Sequence, residues 1–482
     1  MELASQLRMW DLRRLVVRAA YVALLGLAVV LPRVSSNGFE FPGISHGWVL
    51  LVFAALMVIA LLEGGPLLRL RYLDALVLVV PALALALEHR PRQWPILLLY
   101  AAFVYLAARM LMIARSNAEP GGRGDPLVPR SWLIAGLFVL ALVHIGWAWQ
   151  SSVTNDSAQG AAQGATRVLE GRSVYGSSAT IAAAPHGDVY GPVLYEAYTP
   201  FTGKIAGRPA DRLLGAVAEL LCALLLFILG RRLGGRATGT LLAFCWLAYP
   251  LTLYEDGLGF NDGLVAAALL GAVLVSRSPA RRGAMSALAA WLKLTPLALV
   301  PVLALYRPAG GQRRARIARF AAGFALVTGI VFAPVLLHDT PATFLDRTLG
   351  FQGTREPADS LWSSLEVGYG YALPWLASAA RIAHGLVVAG AAALALFAPR
   401  LLRRNDELGL AAISAAILIA VQMGLSYYAY GYVLWFAPLV LVGLFAGVRQ
   451  RERAPGSVAV PPGMHAVAGW RTTQRSCGEG FP

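Results

Sequence analysis

Between residues 150 and 210 of this chain, acids, bases and aromatics stand together. They are Asp156, then Arg167, Arg172 and Tyr175, then His186-Gly187-Asp188-Val189-Tyr190-Gly191-Pro192. Asp156 follows an apolar run ending in Trp147 and Trp149, aromatics of the kind that anchor at a membrane interface, so its carboxylate falls at head-group level. A carboxylate there could take a proton from a reacting hydroxyl. A solvated loop acid, or the N-cap of a helix over 157–169, is the other account of it. His186, Asp188 and Tyr190 are types that hold a metal or a sugar. Two ligands do not make a metal site, however, and a structured turn whose path needs Gly187 and Gly191 explains the run as well.

A second group lies deeper. Asn261-Asp262, with Glu255 and Asp256, puts three carboxylates between two apolar segments, where acids are costly unless they meet water or a partner. Lys293 is similarly placed; it suits a lipid phosphate as a point charge, and snorkelling to the interface is the competing account. Glu219, inside an apolar segment, reads as a hydrogen-bonding group in helix packing. Farther on, Arg347, Arg355 and Trp362 accompany Asp346 and Asp359. Arginine suits phosphate and tryptophan suits a sugar face, although an amphipathic loop helix would look the same.

The elements that must position these residues are apolar. Of 482 residues, 57% are hydrophobic and 14% charged, and the mean hydropathy is +0.61. Continuous apolar runs of about 20 residues recur along the chain, long enough to cross a hydrocarbon layer as helices that satisfy their own backbone groups. The expected fold is therefore all-α: a polytopic integral membrane protein of about 12–13 transmembrane or re-entrant helices. Candidate segments are 15–32, 47–63, 72–88, 94–113, 131–149, 212–230, 238–254, 262–276, 284–305, 318–337, 372–398, 407–425 and 427–447. The net charge of +15 sits in short arginine clusters between apolar runs, which is the positive-inside pattern and argues against nucleic acid as a partner. Three cysteines, Cys222, Cys245 and Cys477, form neither a disulfide framework nor a metal spacing. The charged start before the first apolar run lacks a small-residue cleavage site after that run, so a retained first helix is expected.

Charge bias also sets sidedness. Arg8, Arg13 and Arg14 place the N-terminus inside, and Arg115, Arg123 and Arg130 follow inside after four crossings. The loop 150–210 then lies outside, and Arg90 and Arg92 are an exception. Three full crossings between 238 and 305 would put the cluster Arg307, Arg313, Arg314, Arg316 and Arg319 outside. One segment there is expected not to cross. The best candidate is 284–305, interrupted by Lys293, Thr295 and Pro296; a re-entrant 238–254 or 262–276 would leave Arg277, Arg281 and Arg282 outside. With that repair the second polar loop, 338–370, joins the first outside. The expected organisation is a block of four helices (1–117), a cytoplasmic Pro/Gly linker (118–130), a main membrane region (131–448) and a disordered cytoplasmic tail (449–482).

Six stretches, in order, resemble the polyprenol-phosphate-dependent GT-C glycosyltransferases, and most closely glycosyltransferase family 87. They are Asp156 with 164–176, then 186–201, 248–254, Asn261-Asp262, 292–297, and 349–352 with Arg355, Ser360 and Trp362. The likeness covers about 131–448, and Thr154-Asn155-Asp156-Ser157 departs from the family pattern, in which a hydrophobic residue precedes the acid. The resemblance implies a membrane enzyme moving a sugar, of mannose or arabinose type, from a polyprenyl-phosphate donor to a lipid or glycan acceptor with inversion, facing outside the plasma membrane. It implies Asp156 as the general base. As substrate-binding residues it points to Arg167, Arg172, Tyr175, His186, Asp188, Tyr190, Asn261, Asp262, Lys293, Gln352, Arg355 and Trp362. The leaving phosphate needs positive charge, from Arg355, Arg172, Lys293 or a divalent cation, and no organic cofactor is implied. A lipid transporter or flippase, or an inactive relative of the fold, is the alternative; a transporter would show paired inverted halves, which this chain lacks.

Overall fold

Long apolar stretches become long helices, several of them with glycine or proline inside. In the computed structural model, which describes residues 2–34, 44–63, 70–87, 94–116, 126–151, 155–176, 187–307, 312–368 and 374–446, almost every element is helical. The first half holds α1 (Glu2–Val34), α2 (Ile44–Ala60), α3 (Leu70–Leu87), α4 (Trp94–Arg115), α5 (Arg130–Gln150), α6 (Asp156–Leu169), α7 (Pro192–Tyr198) and α8 (Leu213–Gly234). Next come α9 (Arg236–Leu247), α10 (Pro250–Leu258), α11 (Asp262–Leu274), α12 (Pro279–Leu292), α13 (Val300–Leu305) and α14 (Arg313–Leu336). Short α15 (Pro341–Leu345), α16 (Phe351–Thr354) and α17 (Leu361–Ser363) precede α18 (Pro374–Leu401), α19 (Glu407–Met423) and α20 (Ala437–Phe445). The strands among the described residues are the two-residue pair Lys204–Ile205 and Arg208–Pro209.

Seven of the described helices are long and apolar enough to cross a membrane, or eight if α9 and α10, bent by 48°, form one span. Their outward faces carry bare apolar side chains such as Phe138, Leu142, Leu326, Ile382 and Leu386, each about two-thirds exposed or more. Such a surface suits lipid as its solvent, and the protein is a multi-pass, all-α membrane protein. Shorter apolar helices α2, α11 and α19 fill the interior; α19 is buried from Leu408 to Ile419 and packs along α4. The first four helices thus sit against the later ones, within a unit spanning residues 1–448. The tail 449–482 and residues 118–125 of the expected linker lie outside the described residues.

Three expected spans are interrupted, each for a local reason. Pro250 lacks the N–H that would continue α9, and Tyr249 before it is extended, so 238–254 divides into two helices. The segment 284–305 breaks where its polar residues stand: α12 ends at Leu292, Lys293 is extended, and a 3₁₀ turn over Thr295–Leu299 leads into α13. The expected span 427–447 is not one helix. Its first part is irregular with a 3₁₀ turn, Tyr430–Trp435, and only the nine residues of α20 are α-helical.

Candidate functional site

The joint after α5 is tightly tied. Ser151 Oγ donates to the Gly257 carbonyl, and the Asn155 amide donates to Leu258 O at 2.9 Å, fixing the loop to the end of α10. Asn155, not Asp156, caps α6: its Oδ1 accepts from the Ala158 amide at 2.7 Å and from Ser157 Oγ at 2.9 Å. Asp156 is therefore the first helical residue. It is exposed, and its Oδ1 accepts from the Ser157 amide at 2.7 Å. The opposite face of α6 is made of Ala and Gly. A Cβ at Gly160 would collide with Gly187 Cα, and one at Gly164 with the Tyr195 ring, so this helix lies flat on the 187–198 segment.

Asp156 opens on a cavity of about 390 Å³. Tyr190, Asp262, Lys293, Gln352 and Arg355 also line it, so six of the residues singled out in the sequence meet there. Lys293 leaves the end of α12 as extended chain and its Nζ reaches Asp262 Oδ1 at 2.5 Å. Trp435 Nε1 donates to the same oxygen at 2.6 Å. The ammonium also faces the rings of Tyr190, Tyr432 and Trp435, 5.5, 5.9 and 5.6 Å from their centroids. Arg355 lies over Tyr427, 3.2 Å from its centroid, and its Nη1 is 3.5 Å from the Tyr432 hydroxyl. Among the described residues no carboxylate pairs with Arg355. The lining thus holds two cations on an aromatic surface together with an exposed carboxylate.

The other singled-out residues are engaged elsewhere. Asp188 is buried and clasped by Arg347, whose Nε and Nη2 reach its two oxygens at 2.7 and 2.6 Å, while the Gly176 amide donates to it at 2.9 Å. In return, the bonds to Asp188 hold the Arg347 guanidinium more firmly protonated than usual. Tyr175 is a packing residue whose hydroxyl donates to Tyr190 O at 2.9 Å, and burial raises its phenol well above the ordinary value. Arg167 donates to Ser173 O at 2.9 Å, and Arg172 pairs with Glu170 in solvent at 3.0 Å, at the far end of α6 from Asp156. Asn261 is buried, its amide donating to the Tyr198 hydroxyl at 3.3 Å. Trp362 is buried, donates to Met423 O at 2.7 Å and stacks on His384. His186 lies outside the described residues.

Tyr427, Tyr432 and Trp435 were missed, because tyrosine and tryptophan are counted among the hydrophobic residues and the stretch passes for a span. The available signal was density: five Tyr and Trp in the nine residues 427–435, around Gly431. No group of three or more His, Cys, Asp or Glu side chains among the described residues is arranged to hold a metal ion.

The sequence model of Glycosyltransferase family 87 matches residues 189–426, and there the resemblance read from the sequence holds. The match includes Tyr190, Asp262, Lys293, Gln352 and Arg355 and begins after Asp156. A solved structure, ArnT from Cupriavidus metallidurans bound to undecaprenyl phosphate, is similar at 20% identity and a TM-score of 0.43. That similarity covers 66% of this chain and 60% of ArnT, less than two thirds of that protein's length. No curated protein matches.

Proposed function

We propose, from the family 87 likeness of residues 189–426, that this chain is a membrane glycosyltransferase. It moves a sugar, of mannose type by preference, from a polyprenyl-phosphate donor to a lipid or glycan acceptor on the outer face of the plasma membrane. The observation that carries the reading is the cavity in which exposed Asp156 stands with Lys293 and Arg355. The donor phosphate lies against the two cations. As an acceptor oxygen attacks the anomeric carbon, Asp156 takes its proton and the bond from that carbon to the phosphate oxygen breaks. The electron pair leaves with the polyprenyl phosphate, whose added charge Lys293 and Arg355 offset in a cavity partly shielded from water. Attack opposite the leaving group inverts the anomeric centre, and no acid is needed to protonate a phosphate. Tyr190, Tyr427 and Tyr432 offer rings and hydroxyls to the sugar.

The test is transfer of labelled sugar from polyprenyl-phosphate donors in membranes carrying the protein. Transfer from polyprenyl-phosphomannose supports the reading; no transfer from any polyprenyl-phosphate sugar sinks it.

A further inference from the structure

Bonded to Asp262 of the cavity lining is Glu255, 1% exposed, on α10. Its Oε2 accepts the Asp262 amide at 3.1 Å, the first N–H of α11, which Asn261 at the cap position leaves unserved. Its Oε1 is buried with no hydrogen-bond partner. That oxygen and Asp262 Oδ2 crowd one spot: a Cβ at Gly431 would collide with the first and come within 2.8 Å of the second. Asp262 Oδ1, meanwhile, is taken by Lys293 and Trp435.

The charges around Glu255 do not balance. Asp262 faces it from α11, Lys293 from beyond α12 and Glu219 from α8. Asp256, its neighbour on α10, is engaged by His144 of α5 at 2.5 Å, and Asp74 of α3 by Arg109 of α4. Three buried carboxyl groups thus share one ammonium. Two like charges this close and this dry do not both ionise; one carboxyl keeps a proton. The orphaned Oε1 beside Asp262 Oδ2 is where such a proton satisfies an otherwise bare oxygen.

We propose that Glu255 is a positioning residue held as a neutral carboxylic acid. Its Oε1–H donates to Asp262 Oδ2 and so fixes Asp262, and through it Lys293, in the cavity lining. The link to donor phosphate rests on the function proposed above; the protonation does not. Glutamine reproduces the neutral acid, an amide N–H in place of the O–H, whereas alanine removes it.

The experiment uses the full chain in lipid nanodiscs. Infrared difference spectra between wild type and Glu255→Gln should lose a protonated-acid carbonyl band, and Glu255→Gln should bind a short-chain polyprenyl phosphate within about threefold of wild type. Glu255→Ala should weaken that binding by at least about tenfold, the scale of one lost hydrogen bond to a charged group. If Glu255→Gln does not fold, Asp262→Asn gives the same infrared reading, because the acid band shifts when its acceptor carboxylate is gone. An unchanged band, or Glu255→Gln binding as weakly as Glu255→Ala, overturns the proposal. Wild type that binds no polyprenyl phosphate overturns the proposed function and the link to donor phosphate, and the infrared reading still decides the proton.

Discussion

Arg347 grips Asp188 with two parallel hydrogen bonds of 2.7 and 2.6 Å, joining chain positions 159 residues apart. The same two loops meet again where Asp339 accepts Ser173 Oγ at 2.5 Å and the Val174 amide at 3.0 Å. Cutting the first clasp strands a buried carboxylate. Arg347→Ala should therefore lower stability by roughly 2 kcal/mol, less than for a fully buried pair because the guanidinium is 35% exposed. Adding Asp188→Asn should restore part of the loss, as read by melting in detergent; a double variant no better than the single one would deny the pairing its role.

Asp156→Asn keeps the size of the first residue of α6 and removes the proposed base. Transfer should fall by about 10²- to 10⁴-fold while donor affinity and melting temperature stay near wild type. Equal rates in the two proteins would move the base elsewhere in the cavity lining.

Glu196 on α7 should make stability fall as pH rises. Burial pushes its carboxyl up from 4.5 to about 7, so between those values the unfolded chain has released a proton the folded one retains. Its contribution is complete below about pH 4.5 and lost as pH climbs through 7. Glu196→Gln should match wild type near pH 4 and melt higher than it near pH 8. Parallel melting curves across that range would show that the carboxyl titrates normally.

Trp362→Phe separates packing from sugar recognition. Losing the 2.7 Å bond to Met423 O should cost about 1–2 kcal/mol of stability and leave donor affinity unchanged. A large fall in affinity with normal melting would instead make the indole a sugar platform.

The sequence announced its helices and some of their breaks, because those depend on neighbours. The Lys293, Thr295, Pro296 cluster marks a break in 284–305 and the chain breaks there, whereas Pro250 divides 238–254, which reads as one span; Pro81, Pro334 and Pro399 lie inside helices, so proline alone does not settle where one ends. Asn155 and Asp156 are both acceptable caps, and only the backbone path decides between them. Asp188 looked available because its partner, Arg347, lies in another loop, and nothing local marks that pairing. Trp362 looked like a sugar surface for the same reason: its stacking partner, His384, belongs to α18. The polar groups of one loop were legible as a set, but their division between a cavity lining and a set of interior struts was decided by distant contacts.

The lining of the cavity is drawn from positions as far apart as Asp156 and Trp435. Synthesis therefore delivers its parts in sequence, Asp156 early and the aromatic residues near the end. A nascent chain that has reached α18 already carries Asp156, Lys293 and Arg355, yet Asp262 lacks the indole N–H of Trp435 and the two cations lack Tyr427 and Tyr432. Unfinished chains are thus built without the complete lining, and the proposed centre is assembled only when the last helices enter.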